Sequence, residues 1–443
     1  MQHFFRTPPV RIGVRSGHAL PQRWADVRFP ASSERVSFRR CGPPEREPTE
    51  LICIQIRTAF THPPPRMSSH PSRSAAARLE RIHASPRFDG RVFRNTNNAR
   101  PGLKPGTVMP TMKEYLCGGE RRVPGAPLPL DDPRSTWRTS PETGLRTTWL
   151  GHSTMLFEID GARILTDPVW TKRASPVPFA GPKRFHAPPV PIKDLPNLDA
   201  VLISHDHYDH YDHLDRSAIR ALIKRKVRFI TSLGVGAHLE GWGVPAERIT
   251  ELDWWEHTTL EPSGVVITAA PSQHFSGRTL LDRNATAWSS FHLQGPKHSV
   301  FHGADTGLTQ DYTQIRDRFG KFDLVLLEIG AYHAAWGDIH LGPEHALDAW
   351  AMLGSGRLHP IHWGTFNLAM HAWDQPIETL TTQAPARGVS LLTPRLGQAV
   401  EPARVGGVTP WWRAAVAEER ATGKSDAVPE TSDDLSAVSW PVD

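Results

Sequence analysis

The chain has 443 residues, 39% hydrophobic and 22% charged, which fits a soluble globular protein with a sizeable core. Its formal charge is +5, but residues 1–75 carry twelve Arg and five acids, so the remainder sums to −2 and gives no support to a nucleic-acid partner. Cys41, Cys53 and Cys117 are too scattered for a disulfide framework or a CxxC site, and no apolar run approaches the roughly 18 residues of a membrane span.

Residues 1–75 are rich in Arg, Pro and Ser and lack Lys, the first being Lys104. They show no helical or strand period. Leu51–Ile56 is too short and too late for a secretory signal. The stretch reads as a disordered leader, or as text upstream of a start at Met67; its acids and prolines argue against a transit peptide. The expected location is the cytoplasm, with peripheral membrane contact allowed. From about Ser85 to Pro133, Pro and Gly dominate, and an irregular arm packed on the core is expected.

The core opens near Leu145. Thr147–Leu150, Met155–Ile159 and Ala162–Thr166 read as strands, with Asp160-Gly161 as a two-residue hairpin. Asp215–Lys226 has a helical period. Val265–Ile267 suits a strand, and Pro343–Leu353 a helix with Pro in its first turn. The pattern is α/β, one core domain over residues 76–402. After Pro402 order fades. Trp411-Trp412 is expected to dock on the core, since an aromatic pair on a tail is otherwise an exposed patch. Residues 403–443 read as a mostly disordered tail.

The densest chemistry is His205-Asp206-His207-Tyr208-Asp209-His210, which follows the apolar run Ala200–Ser204. A strand there delivers its ligands at the carboxy-terminal edge. On extended backbone, residues i and i+2 point the same way, so His205 and His207 can grip one ion. Asp209 and His210 then turn toward a second. Nothing in strand packing calls for three His and an Asp in six positions. Imidazole and carboxylate at this spacing are ligands of metallohydrolases. The same logic recurs where Val265–Ala270 leads to His274, Ser299–Ala304 to Asp305, and Leu358–Ile361 to His362.

This order of ligands resembles the metallo-β-lactamase superfamily. More narrowly, the chain resembles the N-acylphosphatidylethanolamine-hydrolysing phospholipase D family. The resemblance rests on Trp149-Leu150-Gly151-His152-Ser153, Thr166-Asp167-Pro168, Gly181–Phe185, the hexapeptide, Glu251–Trp255, Gly303–Gly307, Phe322–Leu324, Ile329–Tyr332 and Ile361–Phe366, and covers roughly residues 85–400. It implies an αβ/βα sandwich with two zinc ions at one end. His205, His207 and His274 would hold the first ion; Asp209, His210 and His362 the second; Asp305 would bridge them. His/Asp sites also accept iron or manganese. Such a pair makes water nucleophilic near neutral pH. The implied reaction is hydrolysis of an N-acylated phospholipid to phosphatidic acid and an N-acylethanolamine.

By the same resemblance, Asp167 orients a ligand His, and His340 contacts substrate or moves a proton; plain alternatives are a turn-former and a helix cap. Tyr208 is a candidate for the phosphoryl head group, or for packing alone. His152 is equally well explained by hydrogen bonding between strands. Lys183 and Arg184 can be lipid-phosphate contacts or merely solvated. Trp254, Trp255 and Trp363 read as core. Asp206 replaces a neutral amide of the animal enzymes and adds negative charge beside the ions. Competing readings are another hydrolase on the same scaffold, such as a lactonase or a small-substrate phosphodiesterase, and a non-catalytic metal-binding protein. The partner expected is a phospholipid or another small diester; the oligomeric state is open, a homodimer included.

Overall fold

A computed structural model describes residues 73–97, 99–175, 181–207, 215–278 and 281–421. The elements run α1 (Arg73–Ala84), α2 (Val108–Cys117), β1 (Leu145–Gly151), β2 (Thr154–Ile159), β3 (Ala162–Thr166), β4 (Ala200–Ile203), α3 (Arg216–Ile223), β5 (Arg228–Ser232) and α4 (Gly236–Gly241). There follow β6 (Ile249–Leu252), β7 (His257–Leu260), β8 (Val265–Ala270), β9 (Ser290–Gln294), β10 (Ser299–His302), α5 (Asp311–Phe319) and β11 (Leu324–Glu328). The last are α6 (Gly342–Leu353), β12 (Arg357–Ile361), α7 (Gln375–Gln383), β13 (Ala399–Val400) and α8 (Trp412–Ala421).

The strands form a seven-stranded sheet, β13-β1-β2-β3-β4-β5-β6, and a six-stranded sheet, β12-β11-β10-β9-β8-β7. Each sheet joins an antiparallel meander to a parallel run: β3 to β6 in the first, β10 to β12 in the second. Side-chain alternation explains the layers. In β4, Ala200 and Leu202 join the inter-sheet core, while Val201 and Ile203 pack outward with Ile219 and Leu222 of α3 and Leu239 of α4. Successive strand residues face opposite sides, so a strand apolar at every position must be covered twice. Met155 and Phe157 of β2 and Phe291 and Leu293 of β9 belong to the same inter-sheet cluster. Each such fully buried side chain contributes about 1.5–3 kcal/mol. Helices α5, α6 and α7 add Ile315, Leu347 and Ile377 to that cluster. The layering is the expected αβ/βα sandwich.

Local signals act as read. Asp160 and Gly161 both have positive φ, +46° and +92°, as a tight hairpin turn requires. Asp215 caps α3, its carboxylate accepting from the N–H groups of Ser217 and Ala218 at 2.8 and 2.9 Å.

Two stretches are more regular than their composition suggests. The arm expected to be irregular contains α2, and α1 precedes it. Beyond Pro402, Trp411 and Trp412 are buried and α8 follows, so packing extends past residue 402. Trp412 Nε1 donates to Glu378 at 2.6 Å. Trp363 stacks between Trp149 and Trp411, with ring centroids 5.5 and 5.4 Å away. The leader up to residue 72 and the tail from 422 lie outside the described residues. Among the described residues, no helix is long and apolar enough to cross a membrane.

Candidate metal centre

Parallel strands bring their carboxy-terminal ends to one edge, and the candidate ligands sit on the segments that leave that edge. His205 and His207 follow β4, His274 follows β8, Asp305 follows β10, Glu328 ends β11 and His362 follows β12. Two groups form. The ring nitrogens of His205, His207 and His274 gather within 4.8 Å of one another, and so do ligand atoms of Asp305, Glu328, His340 and His362.

The first group is held by hydrogen bonds that point away from its centre. His205 Nδ1 meets Ser204 Oγ at 2.7 Å, and Ser204 Oγ donates to Asp167 Oδ1 at 3.0 Å. His274 Nδ1 donates to the Ile339 carbonyl at 3.0 Å. A carbonyl only accepts, so the proton of His274 is on Nδ1 and Nε2 carries a lone pair. That Nε2 lies 3.1 Å from Nδ1 of His207. Burial, then repulsion from His205 and His340, holds the His274 imidazole well below its ordinary pKa. It is therefore neutral near pH 7, the form that binds metal.

The second group is acid-rich. Asp305 Oδ2 is 3.0 Å from His362 Nε2 and 3.9 Å from His205 Nε2, so one oxygen spans both groups. Asp305 Oδ1 accepts from Ser153 Oγ at 3.2 Å. Glu328 is fully buried. Its Oε2 lies 2.7 Å from His340 Nδ1 and 3.6 Å from His362 Nδ1, and its Oε1 accepts from Thr306 N at 2.7 Å. The donor set fits divalent zinc: three imidazoles on one side, and a shared carboxylate leading to the other.

Five non-glycine residues around this edge adopt left-handed backbone: His152, Asp167, Ala304, Ala331 and His362, with φ between +35° and +62°. Such conformations cost of order 1–3 kcal/mol each and persist where the surroundings over-determine them. His362 N donates to the His152 carbonyl at 3.1 Å, and their rings are 4.0 Å apart. Gly330 is required beside them, since a Cβ there would strike the His362 carbonyl.

The other expected site residues fall as follows. Asp167 is buried; it accepts from Ser204 N at 2.8 Å and lies 3.5 Å from His302 Nε2, one hydroxyl away from His205. His340 lines a cavity of about 410 Å³ with Lys104, Tyr332, His333 and Trp336. Tyr208, Asp209 and His210 lie outside the described residues. Lys183 is exposed, whereas Arg184 turns inward, donating to the Val169 carbonyl at 3.1 Å beneath Phe366; burial pushes its guanidinium down to about 10. Trp254 donates to the Trp288 carbonyl at 2.8 Å under the Arg87 guanidinium, and Trp255 packs on Phe319. The Asp206 carboxylate engages His238 Nε2 at 2.9 Å and the Gly277 N–H at 3.0 Å. Its charge thus has a partner among the described residues.

Glu328 escaped the sequence reading. The signal was present: Leu324–Leu327 is an apolar strand ending on a carboxylate, the same pattern that marks Asp305 and His362.

The sequence profile described as "Beta-lactamase superfamily domain" matches residues 162–363. A Mycobacterium tuberculosis protein described as uncharacterized is 48% identical over 293 residues, 66% of this chain and 77% of that one. The N-acyl-phosphatidylethanolamine-hydrolyzing phospholipase D 1 of Caenorhabditis elegans is 31% identical over 350 residues, 74% of this chain and 98% of that one. The structure of Igni18, a metallo hydrolase from Ignicoccus hospitalis, aligns over 58% of this chain and 97% of its own, at 21% identity and a TM-score of 0.45. The protein is a metal-dependent hydrolase of the β-lactamase superfamily. Within that superfamily, the chain belongs to the N-acylphosphatidylethanolamine-hydrolysing phospholipase D family.

Proposed function

We propose that the chain is a two-zinc phosphodiesterase of phospholipase D type, cleaving N-acylphosphatidylethanolamine to phosphatidic acid and an N-acylethanolamine. The observation that carries this reading is Asp305, whose single oxygen lies between a three-imidazole group and a carboxylate–imidazole group. His205, His207 and His274 would hold one ion and His362 the other, with Asp305 shared; Asp209 and His210 join the second by resemblance. Bound there, two divalent ions supply Lewis acidity to the phosphoryl oxygens and lower the pKa of water.

The chain's own residues do the rest. Ser204, held by Asp167, keeps His205 turned so that Nε2 faces the centre. Glu328 fixes the proton of His340 on Nδ1, leaving Nε2 as the atom that exchanges protons with substrate. Hydrolysis adds the oxygen of water to phosphorus and breaks the phosphorus–oxygen bond to the N-acylethanolamine. His340 Nε2 carries the proton to the departing alkoxide. By the resemblance, Tyr208 would contact the phosphoryl head group, with the substrate met at a membrane surface.

A second reading, a hydrolase of small polar esters or diesters, draws on the cavity beside His340. Lys104, His333, Asp338, Glu344 and Gln375 give it a polar rim. The test is an assay of the purified chain on N-acylphosphatidylethanolamine beside simple lactones and nucleotide diesters. Release of N-acylethanolamine is expected; activity confined to lactones or nucleotide diesters would replace the lipid reading with the second.

A further inference from the structure

We infer that Asn95, on the arm before the core, is a positioning residue of the metal centre, and that the arm is part of that centre. The inference rests on the metal reading above. Asn95 meets the backbone of His274 twice. Its Oδ1 accepts from His274 N at 3.0 Å, and its Nδ2 donates to the His274 carbonyl at 2.8 Å. Nδ2 also donates to the Ala99 carbonyl at 3.1 Å, which ties the clamp to its own loop. His274 is otherwise placed by the irregular segment between β8 and β9, with no ladder to fix it. The amide side chain supplies the donor and acceptor that a neighbouring strand would have supplied.

The same arm reaches His274 by a second route. Lys104 N donates to the Ala335 carbonyl at 2.7 Å, and Gly337 N to the Gly102 carbonyl at 2.9 Å. Asn97 bonds the side chain of Gln273, whose Nε2 donates to the Asp338 carbonyl. Gly337 lies so close to the Arg100 carbonyl that a Cβ would strike it. These bonds anchor the 335–340 loop. That loop carries the Ile339 carbonyl, which takes the His274 Nδ1 proton, and His340 itself. One segment therefore fixes both the backbone and the ring of a single candidate ligand. Groups one layer behind a metal ligand typically cost 10–100-fold in affinity when removed.

The test compares Asn95→Ala and Asn95→Asp with wild type and with Asp89→Ala. Asp89 caps the arm's turn by accepting from Arg91 N and Val92 N and does not touch His274. Zinc affinity is read by competition with a chromophoric chelator, and exchange of the His274 amide proton is read in the zinc-free protein. Asn95→Ala is expected to weaken the tightest-sensing His274 site about 10–100-fold and to speed amide exchange at His274, with a normal melting curve. Asn95→Asp keeps the acceptor but loses both donors, so it should weaken zinc while leaving the amide protected. Asp89→Ala should change neither. Wild-type zinc affinity and exchange in Asn95→Ala, or an equal loss in Asp89→Ala, would overturn the inference. A wild-type chain that takes up no zinc would instead overturn the metal reading, while amide exchange would still report on the clamp.

Discussion

The two halves of the metal centre are built on opposite principles. The first gathers three imidazoles and meets a carboxylate only at its edge, where Asp305 Oδ2 lies 3.9 Å from His205 Nε2. The second sets Asp305 and Glu328 against His340 and His362. A cluster of neutral nitrogens is easily left without a cation, because burial simply keeps the rings unprotonated, as the depressed pKa of His274 illustrates. Two buried carboxylates need positive charge or hydrogen-bond donors at all times. Here the donors are Ser153, Thr306 and the two histidines. The first half thus offers a cation lone pairs, and the second offers it carboxylate charge.

Substitutions in either half test this contrast. The largest effect is expected from His274→Ala, which removes a direct ligand. Hydrolysis should fall by more than about 100-fold, beyond the 10–100-fold range typical of supporting groups, and at least one bound ion should be lost. An unchanged rate would show that the ligand assignment is wrong. Glu328→Gln comes next. It keeps the shape but loses the charge behind His340 and His362, so activity should drop about 10–100-fold. A Glu328→Gln chain that keeps the wild-type rate would assign Glu328 to packing alone.

The last effect concerns stability rather than rate. Burial pushes His186 and His359 down to about 3, and His292 and His371 to about 4. The unfolded chain binds protons at these groups below about pH 6.5, while the folded chain does not until those lower values. Stability is therefore complete above about 6.5 and declines as pH falls toward 4, at up to about 1.4 kcal/mol per pH unit for each histidine. Denaturant titrations of the metal-free chain between pH 7 and pH 4.5 test this. A flat profile would mean that these rings open to water.

Much of this was legible beforehand, for a physical reason. Strand-borne ligands leave a signature, an apolar run closing on His or Asp, and β4, β8, β10 and β12 carry it at His205, His274, Asp305 and His362. Glu328 carried it too, but as a single carboxylate after Leu327 it does not stand out from the frequent charged residues at strand ends. Asn95 was not legible. An amide in a Pro- and Gly-rich arm has no period, and its partner lies 179 residues away. Trp411 and Trp412 were read as docking on the core; α8 behind them was not, because its short, charged stretch carries little helical pattern without Glu378 to bind.

Two cations on either side of Asp305, as proposed, are tested most directly by metal analysis of the purified full chain after dialysis against a chelator and titration with zinc. Two equivalents per chain are expected, falling to one or fewer in His274→Ala. A chain that retains no zinc under any loading condition would contradict the proposal.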